Sequence, residues 1–318
     1  MVDCNPKSLW CYDPNKPAAY AFAVLYFFNA VAHAYQCWRY RAKYSIPMAI
    51  GATFTTVGFC FKVWSSYQPD LLGPWITAVI LLFTAPPIYS AADYFIFAKT
   101  LNYVPSQAPM NPGRVVTTFV AADGLCEMLM GTGVGQIVNY DNPKKVEIGG
   151  GLIKAGLLLQ IILFGGFVAV IYKFHVNVNR ANLTGRWTTV LYVLYSSAFL
   201  ISVRCLYRVV EYFEGITGAI YRNENYFHVF EASLMLINVI IINVFHPGRY
   251  LPKGDKTILN EHGQEVESET GGWEDNRPFI VTLFDPFNIA GLIDEYRNKK
   301  KAEKAAASYP AEEKQATV

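Results

Sequence analysis

Residues 148–172, IGGGLIKAGLLLQIILFGGFVAVIY, hold one charged side chain, Lys154, in 25 positions. A helix that crosses about 30 Å of hydrocarbon needs about 20 mostly apolar residues. This run therefore predicts a membrane span. Six further runs meet the same test: about Ala18–Trp38, Ile46–Ser66, Leu72–Ala98, Val115–Val138, Trp187–Val210 and Phe227–Phe245. The run at 115–138 is the least lipid-like, because it contains Asp123, Glu127 and four glycines (Gly124, Gly131, Gly133, Gly135). It is still read as a span, since the alternative is a long loop of apolar residues. Together the runs predict an all-α membrane protein, a seven-transmembrane-helix bundle over 18–246. A polar segment precedes it at 1–17 and a tail follows at 247–318.

Composition agrees. Of the 318 residues, 53% are hydrophobic and 16% charged, against about a quarter charged in soluble domains. The net charge of +2 gives no sign of a nucleic-acid partner. The first 17 residues lack the apolar core of a cleavable signal, so the first span is expected to act as its own insertion signal. Lysine and arginine in the short loops set orientation. With the N-terminus outside and the C-terminus cytosolic, eleven basic residues fall inside (Arg39, Arg41, Lys43; Lys99, Arg114; Lys173, Arg180, Arg186; Arg249, Lys253, Lys256) and six outside. That layout places the sequon at Asn182 on the inside.

Cys37, Cys60, Cys126 and Cys205 lie in or beside apolar runs and read as small buried hydrophobes. Cys4 and Cys11 share the N-terminal segment, as a disulfide or as two free thiols. In the tail, the polar stretch Asn260–Asp275 predicts flexible chain. Leu283, Phe284, Phe287, Ile289, Leu292 and Ile293 then form a broken amphipathic pattern ahead of Arg297, Lys299, Lys300, Lys301 and Lys304. That pattern suits an anionic lipid surface, a solvated charge run or a short helix docked on the bundle.

Ionisable side chains at membrane depth are costly, so each is a candidate functional residue. The embedded acids are Asp93, Asp123, Glu127, Glu211 and Glu231; the embedded bases are Lys62, Lys154, Arg204 and Arg208. Arg204, Arg208 and Glu211 share one helical face, and Arg208 can pair with Glu211 three residues on. Two readings stand side by side. The charges are interhelical ion pairs that hold the bundle, or they line a polar cavity between helices three, four, six and seven. In the second reading Arg204 or Arg208 holds a phosphate, and Asp123 or Glu127 an amine. Pro86-Pro87, in mid-span, predict a kink or broken turn that gates access beside Asp93. The small residues Gly131, Thr132, Gly133 and Gly135 predict close helix contact.

Other chemistries lack their residues. Helix seven has no lysine for a retinal Schiff base. His33 and His246 can meet near the inner side with Asp93, but a zinc hydrolase lacks its third histidine. No phosphate-binding glycine loop is present. No cofactor and no enzyme activity are expected.

Three stretches carry a resemblance: APPIYSAADYFIFAK (85–99), LYRVVEYFEGITGAI (206–220) with Glu224 shortly after, and FEASLMLINVIIINVFHPGRYL (230–251). In this order, across about 18–251, they resemble the fungal RTA-like family of lipid-translocating exporters. The family pattern falls on Ala85-Pro86, Tyr94, Asp123, Arg204, Arg208, Glu211, Gly215, Glu224 and His246-Pro247. Cys126 and Met130 stand where the family has a serine and a glutamine, Glu127 is extra, and Glu231 replaces an aspartate. The resemblance implies a fungal membrane protein, in the plasma membrane or an endomembrane, whose partners are membrane lipids and amphipathic small molecules. It implies translocation or export of sphingoid long-chain bases or related amphiphiles, with resistance to toxic amphiphiles, and in one branch porphyrin traffic. The embedded charges and the predicted break suggest how a transporter would use them: Arg204, Arg208 and Glu211 as an outer gate, Asp123 and Glu127 as a mid-membrane head-group site, and Asp93 as an inner control point. The same layout also fits a seven-helix receptor or stress sensor.

Overall fold

The computed structural model describes residue 10 and residues 12–137, 142–215, 218–254 and 256–268, together with 291, 293, 296–298 and 300. The Cys4–Cys11 pair and most of the amphipathic and basic tail pattern lie outside the described residues. The chain divides into two units, Met1–Glu274 and Asp275–Val318. The described residues of the second are helical.

In the first unit, seven helices are long and apolar enough to cross a membrane, and the chain is an integral membrane protein. They are α1 (Lys16–Tyr40), α2 (Ile46–Tyr67), α3 (Leu72–Tyr103), α4 (Pro112–Ile137), α5 (Pro143–Arg180), α6 (Thr188–Glu214) and a composite seventh span. The seventh is built of Glu224–Phe227, a π-helical turn His228–Ser233, and Leu234–Val244. Local chemistry sets the ends. Asn15 Oδ1 accepts the Ala18 N–H at 3.1 Å to start α1, and Asn142 caps α5 through the Lys144 N–H at 3.1 Å. Proline enters the first turn of α1, α2 and α5, where its missing N–H costs no helical bond. Gly215, at φ 80°, closes α6 in a conformation that glycine adopts without strain.

Helix α3 is the central element. Its second half is buried almost continuously from Tyr89 to Tyr103, whereas Phe27, Phe28, Ile80, Ile162 and Phe199 face outward into the lipid-facing shell. The helix runs unbroken through Pro86 and Pro87, so the predicted broken turn is absent. The two prolines free the carbonyls of Leu82 and Phe83, and dense packing on either side holds the turn in shape.

Helix α4 is a full span despite its charges, packed on α5 by glycine contacts. A Cβ on Gly133 would lie 2.7 Å from the Gly149 carbonyl oxygen, and one on Gly156 would lie 3.1 Å from that of Cys126. Gly124, Gly131 and Gly135 face open space, so of the predicted contact glycines only Gly133 makes the close approach. Among the described cysteines, Cys126 and Cys205 are buried and free, Cys37 is half-buried, and Cys60 is exposed, contrary to its expected burial.

The stretch expected to be flexible is ordered in its first part. Thr257–Leu259 pairs antiparallel with Glu265–Glu267, and the Asn260 side chain accepts the turn N–H groups of His262 and Gln264. Leu259 is buried, and Tyr103 Oη donates to Glu265 at 2.7 Å, fastening the hairpin to the end of α3. Short-range polarity suggested loose chain; one buried leucine and one long-range hydrogen bond fix it instead.

Candidate functional site

The embedded charges separate into two groups. In the first, α6 offers two arginines to the seventh span. Arg204 Nε and Nη2 both contact Glu231 Oε1 at 2.9 Å, and Arg208 Nε donates to Glu231 Oε2 at 2.8 Å. Arg208 Nη1 turns back to Glu211 Oε2 at 2.8 Å, the pairing predicted from their spacing, and Tyr207 Oη donates to Glu211 Oε1 at 2.9 Å. One carboxylate thus bridges two guanidiniums: Arg204 sets two donors on one oxygen, and Arg208 divides its donors between Glu231 and Glu211. Glu231 sits in the π-helical turn, and such turns re-aim side chains within a span. The two arginines are therefore already engaged by carboxylates, as the ion-pairing reading expects.

A second pair lies nearer the start of the seventh span. Lys62 Nζ contacts Glu224 Oε1 at 2.8 Å, with Lys62 itself 1% exposed. Aromatic rings surround the ammonium: Phe227 at 4.1 Å, Trp10 at 5.0 Å and Tyr12 at 5.6 Å from ring centroids. Burial, with Glu224 nearby, holds the Tyr12 phenol well above its ordinary pKa, so its neutral oxygen accepts from Lys62 at 3.3 Å. The Asn15 N–H donates to Glu224 Oε2 at 2.6 Å and the Trp10 indole to Ser65 Oγ at 2.9 Å, tying the segment before α1 across this cluster. Lys154 lies 5.0 Å over the Phe213 ring.

The remaining acids belong to a different group. Asp93, fully buried on α3, accepts from Ser197 Oγ of α6. Asp123, 5% exposed on α4, accepts from Tyr94 Oη at 2.8 Å. In each, the Oδ1 atom is buried without a hydrogen-bond partner among the described residues. Glu127, half-buried, stands one turn beyond Asp123 on the same helix. Among the described residues none of the three makes an ion pair. Tyr94 is held by Phe167 at 4.6 Å, edge to face, and by Phe119 at 5.4 Å.

One small cavity lies inside the bundle at a place that the sequence did not indicate. A cavity of about 20 Å³, room for about one water, is bordered by Tyr26, Thr55, Leu82, Pro86, Tyr89 and Glu231. It lies between α1, α2, α3 and the seventh span, not between helices three, four, six and seven. Pro86 and Glu231 both border it.

His33 and His246 do approach, with ring centroids 6.3 Å apart, but no group of three metal-ligating side chains forms among the described residues. His33 Nε2 meets the Val239 carbonyl at 3.1 Å, and Asn243 Nδ2 reaches Asn29 Oδ1 at 3.2 Å, so these polar groups join α1 to the seventh span. Sequence reading missed Ser197, Tyr94 and Glu224 as partners. The last had a signal: an embedded lysine demands an acid at its own depth, and Glu224 opens the seventh span at that depth.

Comparison with known proteins adds a second line. The family described as RTA1 like protein matches residues 48–254. A lipid-translocating exporter-like protein RTA1 of Ajellomyces capsulatus is 35% identical over 275 residues, covering 81% of this chain and 85% of that one. A protein of the same name from Leptosphaeria maculans is 34% identical, covering 92% of this chain and 60% of its own length. Protoporphyrin uptake protein 1 of Saccharomyces cerevisiae is 30% identical, covering 74% and 91%. No solved structure matches.

Proposed function

We propose that this chain, which belongs to the RTA1-like family, moves an amphipathic lipid with a cationic amine head across a fungal membrane. One observation carries this reading. Asp93 and Asp123 are buried carboxylates with a free oxygen each, while both embedded arginines and Lys62 are engaged by Glu231, Glu211 and Glu224. A buried charge without a partner is strongly disfavoured. An ammonium head group entering beside Asp123 and Glu127 supplies the missing partner, while its hydrocarbon tail stays in the lipid. A sphingoid long-chain base has this chemistry, and its export would confer resistance to toxic amphiphiles.

In this scheme Asp123 and Glu127 receive the head group, and Asp93, through Ser197, controls passage between α3 and α6. The Arg204, Arg208, Glu211 and Glu231 cluster is a latch that closes the pathway on one side. The small cavity beside Pro86 holds about one water and has Glu231 of the latch in its wall, so opening the latch would enlarge it. Pro86 and Pro87, with two carbonyls of α3 freed, are the place where that helix gives.

The test uses purified protein in phosphatidylcholine vesicles and a fluorescent long-chain amine, with inward and outward leaflet populations read by chemical quenching. The wild type exchanges the amine, and Asp123→Asn combined with Glu127→Gln slows it about tenfold or more, the effect of losing one charge-assisted contact. A neutral diacylglycerol probe of equal chain length is unaffected. Equal amine rates in wild type and variant, at equal protein, would discard the head-group site. Absence of exchange in the wild type would favour the receptor reading.

A further inference from the structure

We propose that the bundle also carries a separate site for the phosphate of an anionic membrane lipid, formed by Arg39, Arg41 and Lys253 where α1 ends. An open hollow of about 600 Å³ is lined by Trp38, Arg39, Arg41, Lys253 and Gly254. Three features set it apart from a scatter of surface bases.

The first is convergence. Arg39 and Arg41 lie two positions apart, a spacing that continued helix would place on different faces. The chain leaves the helix at Arg41, whose φ of 53° and ψ of 33° are left-handed, with its N–H turned back to Cys37 and Trp38. That exit brings both arginines to one hollow. Glycine or asparagine usually fills such a cap, and an arginine there is held in a disfavoured conformation. Lys253 arrives from more than 200 positions along the chain.

The second is that the walls are tied down. Lys99 Nζ donates to the Gly254 carbonyl at 2.7 Å, anchoring the Lys253 segment to α3. Arg249 Nε donates to Tyr40 Oη at 3.2 Å, and Tyr40 stacks on His246 at 5.3 Å, anchoring the end of α1 to the turn after the seventh span.

The third is unbalanced charge. No acid pairs with any of the three cations among the described residues. A neighbouring pocket of about 400 Å³, with Arg186 and Arg249, has Glu265 in its lining. Like charges gathered in one hollow repel one another until an anion enters. Guanidinium forks suit phosphate oxygens, and basic hollows between spans at the membrane surface take phosphorylated head groups. Trp38, 77% exposed at the end of the first span, supplies the interfacial indole that keeps a lipid, rather than a soluble ion, beside the cations. This site is independent of the transport reading, because it uses none of the embedded acids.

Binding of dioctanoyl phosphatidic acid, dioctanoyl phosphatidylcholine and inorganic phosphate is measured on the purified full chain in detergent by thermophoresis. The expected result is tighter binding of phosphatidic acid than of phosphatidylcholine, weakened about fivefold for each cation removed. Arg41→Gly removes one cation while giving the left-handed cap its preferred residue, so it weakens binding with melting unchanged or raised. Arg39→Gln with Arg41→Gln and Lys253→Gln abolishes the preference; if that variant loses helicity, Lys253→Gln alone, at an exposed residue, is read in its place. Equal affinity for the two lipids overturns the proposal, as does an undiminished preference in Arg41→Gly and Lys253→Gln. Inorganic phosphate binding as tightly as phosphatidic acid overturns the assignment to lipid.

Discussion

Glu231→Gln tests the arginine latch most directly, because the substitution keeps the shape of the side chain and removes its charge. Glu231 accepts from Arg204 through one oxygen and from Arg208 through the other, at 2.8–2.9 Å. Arg208 keeps Glu211 as a second partner, so its loss is partial. Arg204 is 4% exposed, and no other carboxylate pairs with it among the described residues. Leaving one buried charge without its counter-ion costs about 3–5 kcal/mol. At about 2–4 °C per kcal/mol for a chain of this class, the melting temperature in detergent falls by at least about 6 °C. The double substitution Arg204→Met with Glu231→Met removes both charges, and the cost of an apolar exchange is small or negative. It should therefore recover part of the loss, with Arg208 left to Glu211. Differential scanning fluorimetry on the purified proteins is the assay. A Glu231→Gln melting temperature within about 2 °C of wild type would refute the reasoning, since a bridging buried carboxylate cannot be neutralised without consequence. So would a double variant no more stable than Glu231→Gln.

Other outcomes follow from the same physics. Glu224→Gln strands the buried Lys62 ammonium and lowers stability by about 3 kcal/mol or more, whereas Lys62→Met leaves Glu224 its Asn15 N–H and costs less; thermal melting ranks the two. Gly133→Leu forces α4 from α5 and costs about 1–3 kcal/mol or more, while Gly131→Ala, facing open space, is neutral or stabilising by a few tenths to about 1 kcal/mol; both are read by melting. With the N-terminus outside, Asn182 carries no glycan, and an electrophoretic shift on glycosidase treatment that is lost in Asn182→Gln would reverse that layout.

How much of this was legible in the sequence depends on whether one helix or two must be known. Span length and apolarity act along a single chain segment, so all seven spans could be read, even α4 with Asp123 and Glu127. The Arg208–Glu211 pair was legible for the same reason, since three residues along one helix fix both depth and face. Glu231 was legible as an embedded acid, but its role as a bridge between Arg204 and Arg208 depends on the rotation of the seventh span about its axis. A π-helical turn at 228–233 changes that rotation by inserting a residue, and no side-chain pattern announces it. The proline pair misled in the opposite sense. Proline removes a donor from one helix, which argues for a break. Whether the helix breaks is decided by the packing around it, and α3 is buried on nearly every side beyond Pro86. The glycines of α4 show the same limit. Gly131 and Gly133 are equally small, yet only Gly133 meets the Gly149 carbonyl, because the partner surface on α5 selects between faces that one sequence presents alike. Depth is thus a one-dimensional quantity that composition reveals, while partner choice is a two-dimensional one. The remaining acids, Asp93 and Asp123, are buried in the bundle and pair with no cation among the described residues, and this is why they, and not the arginines, are the residues to test for a ligand.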